Sequence, residues 1–510
     1  MKITKALCCA ITGLLVPALF SGCFGGNGDN GGNGGNGGGN IPVGPIDDGD
    51  LTFTDGGDIV YDGVELNMWS VTTGDDADVQ DSIIAKFNEL YDGMIKVTTT
   101  HTSRYDLETL ITTTMQFDRA NAPDIFFSHG SRAGEYVDKG WLLPIEPYME
   151  KAGLTVDKDD YVEALTAAAS VNGHLYGLPQ DVHSAMVVYR ADILEKNNLK
   201  VPTNYNELVA TCEAAMDLAK AGNLWIRGEN TSGVPATEWR KAPVAVTYEP
   251  FPIAYGDMWV HEFLGFTAAA QNGATFVAAD GKPAWNTDEA AAGLQVLRDF
   301  VMPSDSSVNK YALTKEYGSE YDVGNAPMRR GDCIFKLLGP WEYAKDLTEY
   351  GRMLSDDGGA DNIDTMALSN LFATDNTKEY ANKVKGEGHA FMLMETVTSR
   401  TKQCAAMVFA DWMVNNAGVD WAKRGHLPSL KSVENSSEYR GDPAYTSYIS
   451  KWGSCDDYIV MPSTAHYSYV DKYFKDSVQQ AMSSQFKNST IKSILQQKYD
   501  DCVSYIELYA

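Results

Sequence analysis

Cationic side chains are scarce: 41 lysines and arginines face 69 aspartates and glutamates, a formal net charge of −28 at pH 7. A surface of that sign repels polyanions, so nucleic acid and anionic lipid are excluded as ligands and the expected ligand is neutral or cationic. Cysteine is sparse too. Of eight cysteines, Cys8, Cys9 and Cys23 lie in or just after the first apolar stretch, leaving Cys212, Cys333, Cys404, Cys455 and Cys502. That is an odd number, no C-x-x-C occurs, and no Cys/His cluster has zinc-ligand spacing, so no metal centre or cofactor is expected. Cys212, Cys333 and Cys404 sit in apolar or helical sequence and read as buried thiols. Cys455 with Cys502 is the single pairing worth entertaining. Short catalytic signatures are missing as well: there is no G-x-S-x-G and no P-loop, and HEFLG at 261–265 has Gly265 where H-E-x-x-H needs its second histidine. Acid and base carboxylates need not be close in sequence, so a surface glycosidase stands as the rival to a non-enzymatic binding role.

What is present begins with a secretory pattern. Lys2 and Lys5 precede an apolar run from Ala6 to Phe20, followed by Ser21-Gly22-Cys23. The run is shorter than the ~20 residues a spanning helix needs, and it ends in small residues, as a cleaved signal does. Beyond Cys23 comes FGGNGDNGGNGGNGGGN, which has no apolar residue after Phe24 and the largest backbone entropy to lose on ordering. Residues 41–62 remain rich in Asp, Gly and Pro. The start resembles that of bacterial lipoproteins, with a signal over 1–22, a lipid-bearing Cys23 and a flexible tether over 23–62.

From Val64 the pattern alternates. VELNMWSV reads as a strand, and GDDADVQDSIIAKFNEL as a helix with acidic residues in its first turn and Ile83, Ile84, Phe87 and Leu90 on one face. MIKVTTTH is a strand, LETLITTTMQF a helix and APDIFFSH a strand. The alternation predicts an α/β sheet with ligands at the loops beyond the carboxyl ends of its strands. Further helices are predicted in YNELVATCEAAMDLAKAG and TDEAAAGLQVLRDFV.

Taken in order, GDDADVQDSIIAKFNE, APDIFFSHGSRAGEYVDKGWLLPIEPYM, LYGLPQDVHSAMVVYRADIL, MRRGDCIFKLLGPWEYAKDL and KRGHLPSLKSV resemble the extracellular solute-binding proteins of ABC importers. The subgroup they are similar to takes up sugars and short oligosaccharides. The resemblance implies a two-lobe α/β clamshell of the periplasmic-binding-protein type II, with the ligand cleft between the lobes. It places 63–180 plus 325–385 in lobe 1 and 181–324 plus 386–510 in lobe 2. It further implies a monomeric binding domain that captures a neutral sugar or oligosaccharide for the transmembrane subunits of an ABC permease. With the lipoprotein start, the expected location is the outer face of the cell membrane of a single-membrane bacterium.

Sugars offer hydroxyls that need partners and apolar faces that stack on aromatic rings. The resemblance carries a stacking role onto Trp341 of GPWEY, with Glu342 beside it serving as a contact or an ordinary helix-start carboxylate. His183 stands where the family supplies a carboxylate, and Asp181 shares its loop. Ser128, His129 and Arg132 follow the IFF strand, with Arg132 either binding a hydroxyl or bracing its loop. Thr73, Asp75 and Asp76 occupy the first strand-to-helix loop, where a carboxylate contacts sugar or caps the helix. Tyr255, Trp259 and Tyr467 are further aromatic candidates, with Trp225, Trp239, Trp452 and His426 behind them. The lipoprotein reading generates a direct test: radiolabelled fatty acid should enter the full-length protein and not a Cys23→Ala variant, whereas equal labelling of both would overturn the anchor.

Overall fold

The computed structural model describes residues 45–229, 235–244, 248–254, 260–301, 326–340, 362–453 and 457–509. Strands β1 (Val64–Ser70), β2 (Ile95–His101) and β3 (Ile125–His129) form where β-branched and aromatic residues cluster, linked by helices α1 (Gly74–Leu90) and α2 (Arg104–Phe117). β1 lies between β2 and β3 and runs parallel to both. A helical connection carries the chain back to the same edge and so returns the strand in the same direction. Ile83, Ile84 and Phe87 of α1 are buried, while Leu90 at the helix end is 61% exposed.

The fourth strand of this sheet comes from far along the chain. His389–Met394 pairs antiparallel with β3, with Leu142–Leu143 and with Gly177–Pro179. Helix Arg400–Asn415 packs on β1, and its buried face, from Ala405 to Val414, joins the same core. A second core forms around Met186–Tyr189, flanked on both sides by the antiparallel strands Phe335–Leu338 and Asp364–Ala367. Helices Tyr205–Lys220, Asp288–Val301, Tyr467–Met482 and Ile491–Tyr509 pack there. Two α/β lobes result, as expected, but the late segments exchange places. The described part of 325–385 completes the second lobe, not the first, and 389–417 belongs to the first, not the second. FKLL and HAFMLM are both buried on both faces, and a strand with no alternation carries no mark of which sheet it joins.

Among the described residues the chain crosses between the lobes at 179–184, at 384–389 and again within 421–439. The crossovers pair with one another. Asp181–Val182 runs antiparallel to Leu427–Pro428, and His183 bridges to Glu387. The expected tether is shorter than 23–62. Asp50 accepts from the backbone N–H groups of Arg400 and Thr401 and from the Ser399 hydroxyl, Asp47 pairs with Arg400, and Leu51 is buried. An acidic segment read as unstructured thus caps a helix N-terminus, where negative charge is favoured. Cys212, Cys404 and Cys502 are buried thiols and Cys333 is buried; Cys455, the other half of the entertained pair with Cys502, lies outside the described residues. Among the described residues no helix is long and apolar enough to cross a membrane.

Gly388 marks the tightest crossing. A Cβ there would lie 2.6 Å from the carbonyl oxygen of Asp181 and would also collide with Leu165 Cδ2. Gly388→Ala should therefore destabilise the protein by about 1–3 kcal/mol through overpacking. Gly418→Ala, whose nearest neighbour would be 3.5 Å away, is the control. Urea unfolding that gives equal midpoints for the two variants would show that the crossing is not close-packed.

Candidate functional site

The carboxyl end of β3 and the three crossovers converge on one buried polar cluster. His129 is the last residue of β3 and faces His389 across the ladder, their ring centroids 5.0 Å apart. Asp181 and His183 share the first crossover, Glu387 and His389 the second, and His426 follows Gly425 on the third. Gly425 has φ +96°, and a side chain there would run into Pro340 and Trp452, so only glycine lets the third crossover enter so closely.

Asp181 is fully buried and its carboxylate is surrounded by donors. His389 Nδ1 lies 2.9 Å and His183 Nδ1 3.3 Å away, the backbone N–H of His389 donates at 3.2 Å, and the Trp421 indole N–H at 2.5 Å. Burial disfavours this charge, but His389, His426 and the hydrogen bonds outweigh it and hold the carboxyl well below its usual range. Burial, reinforced by His389, pushes His183 down to about 4, and burial with Arg104 depresses His129 strongly. Both are neutral imidazoles at neutral pH, each with one donor and one acceptor nitrogen. His426 goes the other way: although burial opposes its cation, Asp76 and Asp181 raise it.

Beside this hub, polar groups tie the lobes together directly. Ser131 and Tyr467 donate to Glu387 at 2.8 and 3.0 Å, and Lys385 pairs with the same carboxylate. Arg104 of α2 donates to both oxygens of Glu262 in the second lobe at 3.0 and 2.9 Å. Lys475 reaches Glu262 and Asp471, each at 2.7 Å. Burial opposes the Glu262 charge, but Arg104 and Lys475 outweigh it and hold its pKa well below the usual value. At the outer edge of the seam a groove of about 410 Å³ is lined by Tyr105, Thr109, Thr113, Arg132, Glu135 and Ser468, among others.

The structure brings together His129, Asp181 and His183, whereas Ser128, the neighbour of His129 on β3, falls on the opposite face of the strand. Among the described residues Ser128 Oγ and His129 Nδ1 are buried with no protein partner. Arg132 braces its loop: it pairs with Glu108 at 2.8 Å, donates to Ser468 at 3.0 Å and lies over the Tyr467 ring. Tyr467 is itself fully buried and holds Glu387 instead of lining an open wall. Of the α1 loop, Thr73 is exposed and Asp75 half-exposed; Asp76 is the residue that turns inward, 3.1 Å from His426 Nε2. Trp225 and Trp239 lie outside the cluster, stacked with Lys241 and Arg227. Trp341, Glu342, Tyr255 and Trp259 lie outside the described residues. Sequence reasoning missed His389 and Glu387. Their signal was the glycine-bracketed GEGH before an apolar strand, which marks a close backbone approach. HEFLG gives its glutamate to the interlobe ion pair.

A family model described as bacterial extracellular solute-binding protein matches residues 82–447. Solved structures with the same architecture include the GacH receptor of Streptomyces glaucescens, determined unliganded and with acarbose, at 13% identity, 86% of this chain, 98% of that chain and a TM-score of 0.62. T. maritima MalE3 with maltose bound matches at 15% identity over 87% of this chain and all of its own, with a TM-score of 0.60. An ABC substrate-binding protein of Listeria monocytogenes in complex with cycloalternan matches at 18% identity, 88% and 100% coverage, and a TM-score of 0.61. At these identities the likeness is one of fold.

The Arg104–Glu262 pair generates a prediction in two parts. Removing one partner of a buried pair strands the other, so Glu262→Gln should cost about 3–5 kcal/mol in urea unfolding. Because the folded-state pKa of Glu262 is depressed, its contribution is full above 4.5 and is lost as the pH falls from there through the folded value. The unfolded chain takes up this proton first, so the slope of stability against pH below 4.5 should be shallower in the variant by up to about 1.4 kcal/mol per pH unit. Identical slopes would show that Glu262 carries no depressed pKa.

Proposed function

Because the chain belongs to the bacterial extracellular solute-binding proteins, we propose that it captures a neutral sugar or oligosaccharide between its lobes, without turnover, and delivers it to an ABC importer. The observation that carries this reading is His129 Nδ1, buried where the end of β3 meets the crossovers and with no hydrogen-bond partner among the described residues. A buried polar atom left unpaired costs about 1–3 kcal/mol, and a hydroxylated neutral ligand supplies the missing partners. The strongly acidic chain agrees with an uncharged ligand. Relatives of the same fold were solved with acarbose, maltose and cycloalternan.

In this reading Asp76 and His129 bind hydroxyls. Asp181, whose oxygens are already taken by protein donors, and His183 form the floor. Trp341 supplies the stacking face; Pro340, immediately before it, lies against Gly425 of the third crossover. The ligand draws the lobes together only as far as it binds the closed state more tightly than the open one. Cys23, lipidated after signal cleavage, keeps the protein at the outer face of the membrane, where a secreted receptor would otherwise diffuse away from its permease.

Calorimetry with maltose-, mannose-, xylose- and galactose-based oligosaccharides should find one site for one of these classes and no release of smaller sugars. Trp341→Ala should weaken that binding tenfold or more with an unchanged melting temperature, since a central anchoring ring contributes about 2 kcal/mol or more on truncation. Sustained hydrolysis of the sugar would replace this reading with the glycosidase. Near-wild-type affinity in the folded Ala variant would remove Trp341 from the site.

A further inference from the structure

Four of the eight histidines of this chain meet at the crossovers, and three of them turn Nδ1 toward a single carboxylate. His389 Nδ1 and His183 Nδ1 lie 2.9 and 3.3 Å from Asp181 oxygens, and His426 Nδ1 lies 3.7 Å from Oδ2. We propose that Asp181, His183, His389 and His426 bind one divalent transition-metal ion, with zinc the best fit, and that the ion pins the three interlobe crossovers together. This goes beyond sugar capture and does not rest on it.

The spacing fits the ion. Zinc–ligand bonds of about 2.0–2.1 Å in a tetrahedron separate the ligand atoms by about 3.4 Å. The four donor atoms here lie within 4.8 Å of one another, so the ion enters with shifts smaller than a bond length. The donor set also fits. Three imidazoles and one carboxylate suit a borderline cation such as zinc, whereas calcium and magnesium require oxygen ligands. All four side chains are buried, so water does not compete for the position.

One further contact orients a ligand as metal sites require, through a hydrogen bond at its far side. His426 Nε2 is held by Asp76 at 3.1 Å, which leaves Nδ1 directed at the hub, where it has no hydrogen-bond partner among the described residues. The Trp421 indole N–H donates to Asp181 Oδ2, the oxygen that His389 and His426 also approach, and so fixes the rotation of the carboxylate. His129, 5.0 Å from His389 and 5.8 Å from His183 between ring centroids, lies outside the four and remains on the sugar side. The divalent charge is balanced by Asp181 and Asp76. Each crossover donates at least one ligand, so the ion fixes strands that otherwise meet through one or two ladder pairs. Sequence spacing could not reveal it, since positions 181, 183, 389 and 426 come together only after the chain has crossed between the lobes.

The test uses the untagged full-length protein, stripped with chelator and titrated with Zn²⁺ against a chromophoric competitor, with no sugar present. One ion per chain is expected, with Co²⁺ in its place giving the intense visible bands of a tetrahedral nitrogen and oxygen site. His389→Ala and His426→Ala should each weaken Zn²⁺ by 100-fold or more, Asp76→Asn by about 10- to 100-fold, and His174→Ala and His466→Ala should leave it unchanged. The wild-type Co²⁺ spectrum reads the ligand set without mutation, so a variant that fails to fold does not remove the test. Substoichiometric Zn²⁺, a pale octahedral Co²⁺ spectrum, or undiminished binding in folded His389→Ala would overturn the site. Failure of the sugar screen would leave the metal result standing, and failure of the metal would leave the sugar reading standing.

Discussion

The buried carboxylate of Asp181 is the constraint on which the centre of this molecule depends. An ionised carboxylate removed from water is tolerated only when donors replace its hydration. Here the donors come from each of the three described crossovers or their immediate neighbours: His183 from its own, His389 from the second and Trp421 from the approach to the third. No one segment could satisfy the group alone. Compensation of a single charge therefore sets the mutual position of the strands that cross between the two lobes, and the close glycines at 388 and 425 let the backbones approach far enough for it to happen.

The rest of the seam follows the same logic with less at stake. Arg104 with Glu262, Lys475 with Glu262 and Asp471, and Lys385 with Glu387 are buried ion pairs in or across the interface. Pairs of this kind add little net stability, because desolvation offsets most of the Coulomb attraction. They select a geometry, since an alternative approach of the lobes would leave charges buried and unpaired. An apolar seam would allow many registers, whereas a charged one is stable only in register and is readily solvated where it meets water.

Much of the first lobe was legible in the sequence. β1, α1, β2, α2 and β3 each carry their period and their boundary residues, and the polar loop beyond IFF falls at the strand end where binding loops belong. The late strands were not legible in the same way. FKLL and HAFMLM are buried at every position, so nothing local distinguishes the sheet of one lobe from that of the other; only the ladder partners, β3 for His389–Met394 and Met186–Tyr189 for Phe335–Leu338, decide it. The site shows the same divide. Asp181, His183 and His129 were found because they flank a proline or end a strand, whereas His389 and Glu387 sit in a short glycine-rich stretch whose meaning depends on a crossing that the sequence does not display. Asp75 and Asp76 were indistinguishable as neighbours at a helix start, and the direction of one turn of α1 assigns the inward role to Asp76.

Two polar positions with different chemistry thus lie within a few ångströms of each other. Asp181 takes hydrogen bonds from His183, His389 and Trp421, with His426 Nδ1 directed at the same point from 3.7 Å. His129 Nδ1, on the end of β3, is buried and unfilled by any described residue. A neutral hydroxyl, which both donates and accepts, suits the second and gains nothing from the first. A cation suits the first and is opposed at the second, where burial and Arg104 already hold His129 uncharged. The division follows from which backbone carries which residue: the groups gathered on Asp181 stand on the crossovers, and His129 on a strand end.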